Sequence, residues 1–238
     1  MDSLNNILLY TENLTKNFQG IKAVNDINFK INHNEIRALI GPNGAGKTTF
    51  VSLLCGRIKA SKGKVFFNGV NISHLPVYTR ISMGIGYTFQ ITSIFFNLTV
   101  SENVALALKN KRQEEKKSIV SEVLNKVGLL DRVTQRSGDL SYGHQRLLEL
   151  AMGIAQRPKL LILDEPTQGL SDLEIENFKK LIKKISATVT VLLIEHNMDV
   201  VMSIADKITV LHFGEIIAEG DKKSIQRNPV VQKAYLGD

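Results

Sequence analysis

Runs of apolar residues separated by polar turns divide the chain into segments that predict strands and helices. KLLILDE at 159–165 and TVTVLLIEH at 188–196 each contain an unbroken apolar stretch, typical of strands in a sheet covered on both faces. Apolar residues recur with helical spacing at 119–127, 147–155 and 178–185. Because strands alternate with helices, the pattern predicts a mostly parallel sheet flanked by helices.

Two parts of the chain depart from this alternation. Residues 7–36 and 64–67 contain short strand patterns, and the second ends in an Asn68-Gly69 turn, which indicates an antiparallel β region. Residues 98–156 are mostly helical in pattern and predict an inserted subdomain. Near the end, ITVLHFGEIIAEG predicts a hairpin around Gly214.

The length of the chain limits its domain organisation. Its 238 residues suffice for one large domain or for one domain with a subdomain. We therefore expect a single α/β domain over 1–238. Its core comprises 1–90 and 157–238, including the antiparallel β region, and its helical subdomain covers about 91–156.

Composition and charge restrict the class of protein. Apolar residues make up 43% of the chain, and no stretch approaches the roughly 18 uninterrupted apolar residues of a membrane span. The start, MDSLNNILLY, lacks the basic region of a secretory signal, and Cys55 is the single cysteine, so we expect a reducing cytoplasm. The formal charge of +7 permits nucleic acid or an anionic membrane as a partner. However, the basic segment at 109–117 lacks the interleaved aromatic residues of a nucleic-acid module, so we expect a solvated helix face there.

The segment GPNGAGKTT at 41–49 carries the clearest chemical motif. It satisfies G-x-x-x-x-G-K-[ST] and lies between a buried strand and a helix. Its glycines let backbone N–H groups turn inward around phosphate oxygens, and the helix directs its positive dipole end at them. We expect Lys47 to reach the β- and γ-phosphates of ATP and the Thr48 hydroxyl to ligate Mg²⁺. The expected nucleotide-binding residues of this loop are Gly41, Pro42, Asn43, Gly44, Ala45, Gly46, Lys47, Thr48 and Thr49.

Two carboxylates follow the buried strand LLIL. Asp164 and Glu165 lie at its C-terminal end, the edge where open α/β sheets bind ligands. Asp164 suits coordination around Mg²⁺. Glu165 is adjacent, so strand alternation directs its side chain to the other side of the strand, where it can act as general base for the attacking water. The alternative is that one of the two caps the following helix.

The segment LSYGHQR at 140–146 predicts a second anion-binding turn. Ser141 and Gly143 precede the helical pattern at 147–155, so the dipole of that helix favours an anion at its start. A single ATP site has no evident need for two phosphate-binding loops.

Taken together, these motifs resemble the ATP-binding cassette of ABC transporters over nearly the whole chain. The resemblance implies a P-loop NTPase core of RecA-like fold with an antiparallel β subdomain and an inserted helical subdomain. It implies that Phe18 stacks on adenine, although a strand aromatic can instead belong to the core. It also implies that Gln90 of GYTFQ touches Mg²⁺ or water and that His196 contacts the γ-phosphate.

The same resemblance gives LSYGHQR a role. It matches the family signature L-S-G-G-Q, which in the family serves the ATP of the opposite subunit, and residues 169–172 match the loop that crosses the dimer interface. Tyr142 replaces the first glycine, and His144 stands where glutamine is usual. The LSYG variant resembles cassettes for uptake of branched-chain amino acids, or of urea and short amides. A lipopolysaccharide-export cassette has a similar tail.

The resemblance also implies partners. These are a second cassette, identical or paralogous, integral membrane permease subunits and an extracytoplasmic solute-binding protein, with the chain at the cytoplasmic face of the membrane. Ile94, Phe95 and Phe96 either form a cleft for a short helix of the permease or fill the seam beside the helical subdomain. A nucleic-acid-associated ABC ATPase is the alternative of another class. Because the chain has one cassette and no long coiled-coil arms, we expect no nucleic-acid partner.

Overall fold

The computed structural model of the protein describes residues 6–88, 93–108 and 112–236. The strands are β1 (Ile7–Phe18), β2 (Ile21–Ile27), β3 (Lys30–Asn32), β4 (Ile36–Ile40), β5 (Lys62–Phe67), β6 (Val70–Asn71), β7 (Ile85–Thr88), β8 (Leu160–Asp164), β9 (Thr190–Ile194), β10 (Lys207–His212) and β11 (Glu215–Gly220). The helices are α1 (Lys47–Cys55), α2 (Val77–Met83), α3 (Val100–Ala107), α4 (Gln113–Val127), α5 (Tyr142–Ala155), α6 (Asp172–Ser186), α7 (Met198–Ile204), α8 (Lys222–Gln226) and α9 (Pro229–Leu236).

The main sheet has the strand order β11-β10-β4-β9-β8-β7. All its neighbouring pairs are parallel except β10 and β11, which form the hairpin predicted around Gly214. The two unbroken apolar runs form β8 and β9, and every residue of both strands is buried. The prediction of a mostly parallel α/β sheet covered on both faces is therefore confirmed.

A second sheet is antiparallel, with the order β2-β1-β5-β6 and with β3 also paired to β1. Within the region of short strands predicted at 7–36, β2 ends at Ile27 and β3 begins only at Lys30. The Thr11 hydroxyl explains the break, because it donates to the Ile27 carbonyl oxygen at 2.8 Å and accepts from the Phe29 N–H at 3.0 Å. The hydroxyl thus bonds to the backbone on both sides of the break, beside the Thr11 N–H that still donates to the Phe29 carbonyl oxygen at 2.8 Å.

Helices cover both faces of the main sheet. On one face, α1 lies between the two sheets, where Phe50 and Leu54 are fully buried among residues of both. On the other face, α3 to α6 bury one continuous apolar cluster against β8 and β9. The predicted inner faces agree with this arrangement, because the apolar residues of 119–127 and Phe178, Ile182 and Ile185 are buried. Within the described ranges, no helix is long and apolar enough to cross a membrane.

The strand order also positions the functional motifs. The loop at 41–46 follows β4, Asp164 ends β8 and His196 follows β9 by two residues. These three strands are neighbours and run parallel, so their C-terminal ends meet at one edge of the sheet. The fold thus brings three distant parts of the sequence to that edge.

Candidate functional site

Two glycines of the 41–46 loop are required by close backbone contacts. A Cβ at Gly41 would overlap the carbonyl oxygen of Leu211, and one at Gly46 would overlap that of Ala23. Gly46 also has φ +100°, a conformation that other residues rarely adopt. Both glycines therefore let the loop pack against its neighbours and still turn its N–H groups inward.

Lys47 connects this loop to the carboxylates. Its side chain is 8% exposed, and Nζ donates to the carbonyl oxygens of Gly41 at 2.7 Å and Pro42 at 3.1 Å. Burial lowers the pKa of Lys47, while the negative charges of Glu165 and Asp164 act in the opposite direction. The structure thus brings the predicted lysine and both predicted carboxylates together.

Asp164 is held at the end of β8 by a residue that the sequence analysis missed. The Tyr87 hydroxyl donates to Asp164 Oδ2 at 2.9 Å from the neighbouring strand β7. Asp164 is 4% exposed, and burial raises the pKa of its carboxyl, although the hydrogen bond from Tyr87 opposes that shift. Nothing in the local sequence of Tyr87 marks it, because the contact depends on the pairing of β7 with β8.

Glu165 diverges from Asp164 for a reason other than the one predicted. The strand ends at Asp164, so strand alternation does not apply, and Glu165 instead has the left-handed φ of +48°. Its N–H donates to the Ile194 carbonyl oxygen at 2.9 Å. A non-glycine residue in this conformation carries local strain, a feature that clusters at functional sites. His196 Nδ1 lies 3.8 Å from Glu165 Oε1, so these two predicted residues are also adjacent.

The alternative that Asp164 or Glu165 caps the next helix is wrong. That helix, α6, begins at Asp172 and has Ser171 as its N-cap. Glu174 completes a capping box by accepting from the Ser171 N–H at 2.9 Å. Both carboxylates are therefore available for another role.

A second missed residue, Glu195, joins two loops of the site. It is 1% exposed, and its Oε1 accepts from the Thr167 N–H at 3.1 Å and from the Thr167 hydroxyl at 2.6 Å. Its Oε2 accepts from the N–H groups of His196 at 3.1 Å and Asn197 at 3.3 Å. An acidic residue at the end of an apolar strand pattern was the available signal. The carboxylate fixes the position of His196 relative to the loop after β8.

We expect Asp164→Asn to stabilise the fold when nucleotide and divalent cations are absent. An aspartate with a raised pKa binds its proton more tightly in the folded chain, so its ionised form costs stability. Stability from this group is therefore lost as pH rises from about 4 through the folded pKa. The denaturant midpoint of Asp164→Asn should exceed that of the wild type at pH 7.5, and by less at pH 4.5. The exposed Asp131→Asn is the control; an equal or lower midpoint for Asp164→Asn at pH 7.5 would contradict the expectation.

The 140–146 turn opens α5 as predicted. Ser141 is the N-cap, and its Oγ accepts from the His144 N–H at 3.4 Å. A Cβ at Gly143 would displace the Glu174 carboxylate at the start of α6. Tyr142 is 43% exposed, accepts a hydrogen bond from Arg146 Nε at 3.1 Å and lies against Gly169. The tyrosine thus joins this turn to the 169–172 segment of the same chain.

This turn and the 41–46 loop lie at different parts of the sheet. Helix α5 packs near the β7–β8 side, where its Gly153 faces Thr88 and Leu161. The 41–46 loop follows β4, which is three strand spacings from β7, or about 14 Å. The turn and the loop are therefore carried by elements on different strands of the sheet, and Arg146 at the end of the turn shares a cavity with Leu163 and Pro166 beside the end of β8.

Of the remaining predicted residues, three are exposed, one is buried and one lies outside the described residues. Phe18 is 45% exposed at the end of β1, so its ring does not belong to the core. Ile94 is buried in the large cluster, whereas Phe95 and Phe96 are 55% and 50% exposed, so only Ile94 fills the seam. Gln90 lies outside the described residues.

Comparisons with known proteins agree with this geometry. The family model described as ABC transporter matches residues 24–168. The high-affinity branched-chain amino acid transport ATP-binding protein BraF of Pseudomonas aeruginosa is 36% identical, over 97% of this chain and 98% of its own length. The lipopolysaccharide export system ATP-binding protein LptB of Haemophilus influenzae is 34% identical over the same shares. A nucleotide-free ATP-binding cassette from an ABC transporter superposes with a TM-score of 0.88 at 27% identity, covering 98% of this chain and 100% of the other. The chain therefore belongs to the ABC transporter family, as one of the cassettes that bind and hydrolyse ATP.

Proposed function

We propose that the chain is the ATPase subunit of an importer for branched-chain amino acids. Two such cassettes would clamp two ATP molecules and drive a membrane permease, which places the chain at the cytoplasmic face of the membrane. The relative BraF is named for this transport, and the LSYG variant of the 140–146 turn supports the same class. The chain also has a relative named for lipopolysaccharide export, so that process is an outcome that the test below must distinguish.

The observation that carries the proposal is the clustering of Lys47, Asp164, Glu165 and His196 at one sheet edge. The cluster joins a phosphate-binding lysine, a carboxylate for a cation and a base for water, which is the set that ATP hydrolysis requires. By resemblance, the Ser141 turn serves the ATP of the opposite subunit rather than this cluster. Each chain therefore carries two incomplete halves of a site, which a second cassette would complete.

The hydrolytic step follows from these side chains. Lys47 exchanges its bonds to the Gly41 and Pro42 carbonyl oxygens for bonds to the β- and γ-phosphates. Glu165 accepts a proton as the water oxygen bonds to the γ-phosphorus, and the bond from that phosphorus to the ADP oxygen breaks. The products are ADP and inorganic phosphate. His196 Nδ1 lies 3.8 Å from Glu165 Oε1, and by resemblance the His196 ring contacts the γ-phosphate.

The residues also fit a magnesium ion. Asp164 is a buried carboxylate at the sheet edge, and an adjacent cation would offset the charge that its burial penalises. Thr48, exposed in the first turn of α1, would supply a hydroxyl oxygen. By resemblance, Gln90 would supply an amide oxygen. When bound, Mg²⁺ neutralises charge on the β- and γ-phosphate oxygens.

Coupling to a permease needs a surface beside the nucleotide site. Phe95 and Phe96 are both half exposed in the segment that follows Gln90, and an apolar surface of this kind suits a short helix of a membrane subunit. ATP binding would favour the closed pair of cassettes, and hydrolysis would release it. By resemblance, a solute-binding protein would deliver the amino acid to the permease.

The test is to isolate the intact complex from membranes, identify its subunits and measure its ATPase rate with candidate solutes. Leucine, isoleucine or valine should raise the rate when the solute-binding protein is present. The same complex with Lys47→Ala is the control for contaminating ATPases. A rise with urea, short amides or lipopolysaccharide alone would contradict the substrate class. Salt-sensitive binding of DNA or RNA that stimulates hydrolysis would contradict the transporter function itself.

A further inference from the structure

The residue that departs from the family signature, His144, touches the signature serine directly. His144 Nδ1 lies 2.8 Å from the Ser141 hydroxyl, and the backbone N–H of His144 points at the same oxygen. The ring therefore determines how that hydroxyl can be used. A glutamine side chain at this position could also reach the serine, but it would not change charge between pH 6 and 8.

The direction of this hydrogen bond depends on the protonation of the ring. When neutral His144 carries its hydrogen on Nε2, Nδ1 is an acceptor and the Ser141 hydroxyl donates to it. The serine hydrogen is then committed to the ring. When the ring is protonated, Nδ1–H becomes the donor, the serine oxygen accepts, and the hydroxyl hydrogen is free to point away from α5.

The charges around His144 come from three helices. Hydrogen bonds from the backbone and hydroxyl of Ser171 lower the pKa of the Glu174 carboxyl in α6, and the nearby charge of His144 adds a smaller contribution in the same direction. Lys126 of α4 and Arg146 of α5 line the same cavity of about 360 Å³ beside the ring. Tyr142 is a further titratable residue of the turn, and its hydroxyl accepts a hydrogen bond from Arg146 Nε.

Gly143 allows the start of α5 to pack closely against the start of α6. Since it can carry no side chain without displacing Glu174, the first turn of α5 lies directly against the start of α6. Ser141 and His144 are three residues apart on that turn, so their side chains share one face of the helix. The hydroxyl and the ring are thus held together at the end of the helix that offers its dipole to an anion.

We propose that His144 is a positioning residue that controls the Ser141 hydroxyl, freeing it to donate to a phosphate oxygen of ATP on the facing cassette when the ring is protonated. This inference rests on the proposed two-cassette function. The protonated ring also adds positive charge beside that phosphate. ATP should therefore bind the closed pair of cassettes more tightly at pH 6 than at pH 8.

The first test measures KM for ATP and kcat of the intact transporter complex between pH 6 and 8. The wild-type KM should rise about three- to tenfold with pH, the range that one hydrogen bond contributes, while kcat at saturating ATP changes less. In His144→Gln this His144-dependent rise should be absent, and any remaining change reports other groups such as His196. The exposed His74→Gln is the matched control and should keep the wild-type profile. A wild-type KM profile in His144→Gln would overturn the inference.

The second test determines which ring nitrogen of His144 carries the hydrogen. Nitrogen NMR of the free cassette at pH 8 should show His144 with its hydrogen on Nε2, and Ser141→Ala should move the His144 Nδ1 signal. A hydrogen on Nδ1 at that pH would overturn the inference.

The two proposals fail in different ways. If Ser141→Arg hydrolyses ATP at the wild-type rate, the two-cassette function is wrong. If Ser141→Arg is inactive but His144→Gln keeps the wild-type pH profile of KM, only the role of His144 is wrong.

Discussion

Glu165→Gln should hydrolyse ATP about 10²- to 10³-fold more slowly than the wild type while still binding it. The amide preserves the shape of the side chain but cannot accept a proton from the attacking water, and general bases typically contribute 10² to 10⁴ in rate. The residue sits at a left-handed turn beside His196 and within the electrostatic reach of Lys47, a position that suits a general base and does not cap a helix. Phosphate release under single-turnover conditions measures the chemical step, and binding of a fluorescent ATP analogue measures affinity.

The exposed Glu122→Gln is the matched control for this substitution, because it makes the same chemical change at the surface of α4. It should hydrolyse ATP at the wild-type rate. A normal rate for Glu165→Gln would show that another group activates the water. A loss of ATP binding in parallel with the rate would instead assign Glu165 to nucleotide binding.

Ser141→Arg should bind ATP with about the affinity of the wild type and yet barely hydrolyse it. The arginine would project from the N-terminus of α5, which in the proposed two-cassette function faces the ATP of the second chain. We expect hydrolysis to fall by at least about 10²-fold, because a misplaced half-site removes the alignment on which phosphoryl transfer depends. ATP binding to the isolated chain and turnover at high protein concentration measure the two effects.

Ser118→Arg on the exposed side of α4 controls for the added charge and bulk, and it should leave turnover unchanged.

Mixing two variant chains tests the shared site more directly. A Ser141→Arg chain combined with a Lys47→Ala chain should recover one working site, since each chain supplies the half that the other lacks. Wild-type turnover by Ser141→Arg alone, or by a strictly monomeric form of the chain, would contradict the hypothesis that two chains share each ATP site.

The long elements of this fold are predictable from sequence, whereas its short ones are not. Strands β8 and β9 are marked by unbroken apolar runs, and α4 and α6 each show a full period of buried positions over 15 residues. Helices α2 and α7 have seven residues each, too few turns for a period to stand out. The break between β2 and β3 depends on the Thr11 side chain, which is distant in sequence.

The residues of the site also divide into those that a local motif predicts and those whose roles depend on contacts distant in the sequence. The 41–49 motif carries its mechanism within a few consecutive residues, so Lys47 and its loop could be predicted directly. Tyr87 and Glu195 act through partners 77 and 28 residues away, and their roles exist only once the strands are paired. The direction of Glu165 was predicted from strand alternation, which was the wrong geometric basis, because strand patterns do not reveal a left-handed turn.

The contacts of Glu195 have a consequence for communication between nucleotides. His196 and Thr167 share this one buried carboxylate, and the loop that Thr167 begins runs on to Gly169, which lies against Tyr142 of the signature turn. A displacement of His196 by the γ-phosphate would therefore be relayed to the half-site that the same chain offers its partner. In a pair of cassettes, such a relay would couple the occupancy of one ATP site to the affinity of the other. By linkage, each bound nucleotide then alters the affinity for the second by the same factor.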